Sequence, residues 1–259
     1  MSELAQLVPL WQQSAWPLFL VFLRVGGMMA TLPAFGEQSV PVRVRLGLTL
    51  SFVIIVFPML QIQSSLPPPN LLGALSQGLP EVIAGLFFGL LLRFFVFVLQ
   101  IAGSIAAQTT SLSQIFGGSA GVDPQPAIGH VLLVSGLALA ASMGLHVKFA
   151  TYMALSYDLV PLGLVIPAEH VASYGTDAVA KTFALGFTLA APFMIGSLIY
   201  NVALGVINKA MPQLMVSFVG APAITAGGLI LLLITAPILL GIWIDAFGSF
   251  VMSPGQQLR

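Results

Sequence analysis

Residues 80–101 read Pro-Glu-Val-Ile-Ala-Gly-Leu-Phe-Phe-Gly-Leu-Leu-Leu-Arg-Phe-Phe-Val-Phe-Val-Leu-Gln-Ile, with Glu81 and Arg93 as the charged residues. A run of this length matches the ~20 residues that an α-helix needs to cross a hydrocarbon core about 30 Å thick. Helix is the only reading open to it, because an unpaired strand cannot satisfy its backbone N–H and C=O groups in lipid. Five further apolar runs flank it, at 16–34, 42–60, 127–146, 178–207 and 223–247.

The rest of the 259 residues agree with that reading. Apolar residues make up 58% and charged residues 6%, and mean hydropathy is +1.03. A soluble domain needs roughly a quarter to a third of its surface charged, so a water-soluble globular protein is excluded. The expected fold is an all-α membrane protein, one integral-membrane domain over 1–259, with about six long hydrophobic helices plus short ones. Eight basic residues balance eight acidic ones, and a nucleic-acid binder would need clustered basic charge. Cysteine is absent, which removes disulfides and thiolate chemistry. The N-terminus carries Glu3 and no basic residue before Trp11, so a cleaved secretory signal is not expected.

Punctuation sets the predicted boundaries. Pro41 and Pro80 each open a run, as proline does in a first helical turn. Gly78 reads as the stop of a short helix at 71–77. Asp177 reads as the cap of the fifth helix, with Lys181 four residues on, and Pro192 should kink that helix. Residues 61–70 form an uncharged, stiff linker, and 147–177 a connection at an interface. Counting basic residues by simple alternation leaves Arg43, Arg45 and Lys209 on one side and Lys148, Lys181 and Arg259 on the other. The positive-inside rule therefore gives a tie and no orientation.

Arg24 and Arg93 fall inside apolar runs, where an arginine must face protein or water. Pairing is the plain reading, with Glu81 or Asp245 as partner for Arg24. Glu81, Gly85, Gly89 and Arg93 are spaced four apart and form one helical stripe. Its Gly-Leu-Phe-Phe-Gly centre allows close approach of another backbone. Arg43 and Arg45 sit at a helix start, against the dipole, so anionic headgroups or an acidic partner should favour them. Enzyme machinery is missing: His130, His146 and His170 are scattered, no P-loop is present, and no carboxylate pair stands out. The chain is expected to be no enzyme, with no metal and no cofactor. Residues 107–126 (Ala-Gln-Thr-Thr-Ser-Leu-Ser-Gln-Ile-Phe-Gly-Gly-Ser-Ala-Gly-Val-Asp-Pro-Gln-Pro) are polar, small and almost uncharged. Such a segment is either an ordinary solvent loop or, at membrane depth, backbone lining a cavity.

Several blocks together resemble the FliR family of flagellar export-gate components, whose virulence relatives are the T-type subunits of type III secretion. They are Phe22-Leu23-Arg24-Val25-Gly26, Pro33-Ala34-Phe35-Gly36 and Val40-Pro41-Val42-Arg43-Val44-Arg45-Leu46; then Glu81…Gly85…Gly89; then Ala191-Pro192, Asn201-Val202-Ala203-Leu204-Gly205, Pro212-Gln213-Leu214 and Gly220-Ala221-Pro222. The likeness spans roughly 16–247. Met215 stands where the pattern has Asn, so no polar role is carried to it. The resemblance implies a single-copy subunit with a FliP-like part (about 1–190) fused to a FliQ-like part (about 191–259). It implies a spiral gate with FliP and FliQ, associated with FlhB and FlhA in the bacterial inner membrane at the flagellar basal body, passing unfolded flagellar proteins. It also implies that 107–126 plugs the closed pore, with Leu112, Ile115 and Phe116 as apolar stopper and Gly117, Gly118 and Gly121 as hinge. The alternatives are a virulence-type homologue or, in another class, a small-molecule secondary transporter in which Arg24 and Arg93 meet an anionic substrate.

Overall fold

A computed structural model describes residues 2–37, 40–60, 70–110, 127–211 and 216–254. Among these residues the chain forms seven α-helices and one 3-10 turn, with no strand. The helices are α1 (Ser2–Thr31), α2 (Val42–Val56), α3 (Leu71–Thr109), α4 (Ala127–Ser142), α5 (Leu145–Leu159), α6 (Ala168–Ala210) and α7 (Val216–Met252). Four stretches are long and apolar enough to cross a membrane: 42–59, α3, α6 and 222–252; the bent pair α4 and α5 makes a fifth if counted as one span. The all-α membrane architecture is thus as expected from composition.

The helices outrun the apolar runs that announce them. α3 continues through Gly78 and Pro80, so the predicted short helix at 71–77 and the predicted start at Pro80 do not exist. Proline removes one i→i−4 hydrogen bond, but tertiary contacts carry the helix across. Trp16 Nε1 donates to Gln77 Oε1 at 2.7 Å, and Gly78 lies against Leu23. Likewise α6 starts at Ala168, nine residues before the predicted cap Asp177, which lies inside the helix. Its first turn forms where His170 and Val171 donate to the Pro167 carbonyl, with Glu169 suited to the positive end of the dipole. Pro192 lies inside α6, and Pro222 and Pro237 inside α7. The 127–146 run ends at Ser142, because Gly144 adopts φ +76 and caps a new helix; most of the predicted 147–177 connection is therefore helix.

Two compact units can be distinguished, each assembled from separated pieces of chain: 1–93, 143–177 and 247–259 in the first, 94–142 and 178–246 in the second. In the first unit Leu20, Val25, Met28 and Met29 of α1 are fully buried with Ala84, Phe88 and Leu92 of α3 and Phe149, Tyr152 and Met153 of α5. Phe35 sets its ring edge-on to Phe52 and Phe149, and the Tyr152 hydroxyl donates to the Phe88 carbonyl at 3.0 Å. In the second unit Leu99, Leu132, Leu189, Phe193 and Trp243 are buried. Gly103 and Gly129 bring α3 and α4 into backbone contact, and Trp243 Nε1 donates to the Phe95 carbonyl at 2.8 Å.

Candidate functional site

The first unit holds a fully buried ion pair. Arg24 on α1 and Glu81 on α3 are both 0% exposed. Arg24 Nε donates to Glu81 Oε2 at 2.7 Å and Nη2 donates to Oε1 at 3.0 Å, a two-pronged fork that fits carboxylate geometry. The third nitrogen turns away from the carboxylate: Nη1 donates to the carbonyls of Val160 at 2.7 Å and Ser156 at 3.2 Å. The guanidinium carbon sits 3.9 Å from the centroid of the Tyr157 ring, a cation–π distance. Glu81 Oε1 in turn accepts the Gly163 N–H at 2.7 Å. Burying two ions costs several kcal/mol per ion unless geometry and additional hydrogen bonds offset it, and here both ions have such bonds. The other candidate partner, Asp245, is exposed. The Tyr157 hydroxyl is buried with no hydrogen-bond partner among the described residues.

The stripe on α3 follows α1 along its length. A Cβ on Gly85 would collide with the Arg24 carbonyl, and one on Gly89 would strike Thr31 Oγ1 and lie 2.7 Å from the Met28 carbonyl oxygen. Gly27 answers from α1, where a Cβ would lie 2.9 Å from the Val82 carbonyl oxygen. Glycine on both helices therefore sets a backbone-to-backbone approach. The last member, Arg93, reaches Glu37 with Nη2 3.6 Å from Oε1, both side chains part-exposed; such a pair contributes little.

Arg45 directs its donors inward, Nε to the Phe35 carbonyl at 3.2 Å and Nη2 to the Glu37 carbonyl at 2.9 Å. Those bonds brace a loop in which Ala34 has φ +66. Arg43 is exposed, whereas Arg45 is half-buried. Leu112, Ile115, Phe116, Gly117, Gly118 and Gly121 lie outside the described residues, as does Met215. The stretch before them ends on Thr110, which is buried against Gly228 and whose carbonyl accepts from Thr225 Oγ1 at 3.5 Å. Among the described residues no group of three His, Asp or Glu side chains could hold a metal. An apolar cavity of about 240 Å³ in the second unit is lined by Phe94, Phe97, Ile101 and Phe183, among others.

Sequence reasoning brought forward Arg24, Glu81, Gly85 and Gly89, but not what they hold. Ser156, Val160 and Gly163 take part through backbone atoms, which leave no mark on residue type. Tyr157 is one tyrosine among four, and nothing in its spacing points to Arg24. The one available signal was an excess of donors: a buried arginine has five N–H groups, and one carboxylate cannot receive them all.

The sequence matches the family described as bacterial export proteins, family 1, over residues 15–250. It is 34% identical over 230 residues to the flagellar biosynthetic protein FliR of Caulobacter vibrioides, covering 88% of this chain and 91% of that one. It is 26% identical to the proteins of the same name from Bacillus subtilis, covering 85% and 86%, and Escherichia coli, covering 86% and 84%. With a match along nearly its whole length, joined to an all-helical, lipid-compatible fold, the chain belongs to the bacterial export protein family 1.

Proposed function

We propose that this chain is a membrane-embedded subunit of the flagellar protein export gate, a reading supported by its relatives' name as flagellar biosynthetic proteins, its family's description as export proteins and its long apolar helices. The observation that carries the reading furthest is helix length set against burial. α3, α6 and α7 have 39, 43 and 37 residues, or roughly 55–65 Å at 1.5 Å per residue. A bilayer core is about 30 Å thick, so lipid covers about half of such a helix. Yet exposed apolar side chains run along α6 from Val179 and Phe183 through Ile195 and Val202 to Ile207, a stretch of roughly 42 Å at 1.5 Å per residue. Apolar surface beyond the reach of lipid needs other protein, which favours a multi-subunit assembly over a lone transporter.

In this reading the neighbours are FliP and FliQ, with FlhB and FlhA associated, in the bacterial inner membrane at the basal body. Residues 1–190 correspond to a FliP-like part and 191–259 to a FliQ-like part. The chain is non-enzymatic: it completes the ring and gates the passage of unfolded flagellar subunits, while energy comes from elsewhere. The 107–126 segment is the plug, with Leu112, Ile115 and Phe116 as stopper and Gly117, Gly118 and Gly121 as hinge. Deleting the gene should leave cells without filaments or swimming, restored by the wild-type copy; filaments on the deletion strain contradict the reading. Deleting residues 112–121 should raise ion leakage or unbalance export, and unchanged leakage and export contradict the plug.

A further inference from the structure

We propose that Arg24 is a clamp on the turn between α5 and α6, and that Glu81 is the second jaw of that clamp. The ion pair is not needed to hold α1 to α3. Gly27, Gly85 and Gly89 already bring those helices into backbone contact, and buried Leu20, Met28, Ala84 and Phe88 fill in around them. What the pair adds is reach toward a third piece of chain, 132 to 136 residues away from Arg24.

An α-helix ends with four carbonyls that lack partners within the helix, and cationic groups suit that end of the dipole. α5 ends at Leu159, with no basic residue in its last turn. Arg24 supplies the missing cation from another helix: Nη1 bonds the Val160 carbonyl and adds a second bond to the Ser156 carbonyl, which already accepts the Val160 N–H, and the guanidinium lies over Tyr157. Three residues further on, Gly163 takes φ +78, and its N–H is received by Glu81 Oε1. The turn is thus gripped at two points, on its carbonyl side by the arginine and on its N–H side by the carboxylate. Leu164 and Val165, 55% and 68% exposed, follow directly, so the grip fixes where this apolar edge is presented.

This assignment differs from a simple ion pair in which donors it needs. Lysine preserves the charge opposite Glu81 but lacks a planar fork that serves a carboxylate and two carbonyls together. Glutamine at 81 retains an oxygen for Gly163. Amide hydrogen exchange on the detergent-solubilised full chain, with R24K and E81Q variants, separates the cases. R24K should speed exchange across residues 160–166 by about tenfold or more, as expected for losing charge-assisted hydrogen bonds, while α1 and α3 stay protected. E81Q should affect the turn distinctly less. Equal loosening of the turn by both variants, loosening of α1 and α3 as large as that of the turn, or an unchanged turn in R24K would overturn the clamp. If R24K does not accumulate, the wild-type chain decides. There the Gly163 amide should exchange well more slowly than that of exposed Val165, and equal rates would overturn the proposal.

Discussion

The pairing of α1 with α3 and the α6 stretch beyond Pro192 are built from similar apolar composition, yet they are finished differently. Where α1 meets α3, glycines remove side chains so that backbones touch, and the charges on the facing surfaces have partners within the chain. Along 194–211 most residues are exposed, and the half-buried ones, Ser197, Tyr200 and Leu204, share the one face that meets α7. Tyr200, through its hydroxyl donating to the Gly220 carbonyl, is one of its few ties to α7. Apolar faces left uncovered by the chain itself need apolar surroundings. The first region is complete within one chain; the second is an unfinished surface that lipid and neighbouring subunits must complete.

Substitutions can break this contrast or sharpen it. The largest effect belongs to the close contact: Gly85→Leu drives a side chain into the Arg24 carbonyl. It should cost about 3 kcal/mol or more, beyond ordinary overpacking, and little folded chain should be recovered in detergent. Glu81→Ala comes next. It leaves Arg24 buried and unpaired, at a cost of about 3–5 kcal/mol, read as a lower unfolding temperature, and Glu81→Gln should fall clearly short of it. Trp243→Phe removes the donor to the part-buried Phe95 carbonyl and should cost about 0.5–1.5 kcal/mol. The smallest effect on the chain itself, within about 0.5 kcal/mol, is expected for Leu198→Asn on the exposed face of α6. That variant should instead weaken recovery of partner subunits when they are co-expressed. A large loss of stability from Leu198→Asn alone would erase the distinction between the two regions.

The sequence carried much of the architecture, and the misses have a common cause. Hydropathy marks where a helix is apolar, not where it ends. So 168–177 reads as connection although it belongs to α6, and 71–77 as a separate short helix although it belongs to α3. Gly78 and Pro80 carry stop and start signals in isolation, but Trp16 and Leu23 on α1 hold the residues around them in one helix. At the site, Arg24, Glu81 and the glycines stood out because charge and missing side chains are conspicuous in an apolar run. Their third partner, the end of α5, contributes carbonyl and amide groups that every residue has, so only the fold could place it. Arg45 reads in sequence as facing headgroups or a partner, and the Phe35 and Glu37 carbonyls it braces are likewise invisible in residue types.

The central claim is that this chain is one component of a larger helical assembly. Native mass spectrometry of the tagged chain, extracted in mild detergent after expression with its neighbouring genes, tests it most directly. The account predicts one copy of this chain in a large complex with at least two other small helical membrane proteins. A lone monomer or a symmetric homodimer, with those partners present in the same membranes, would contradict it.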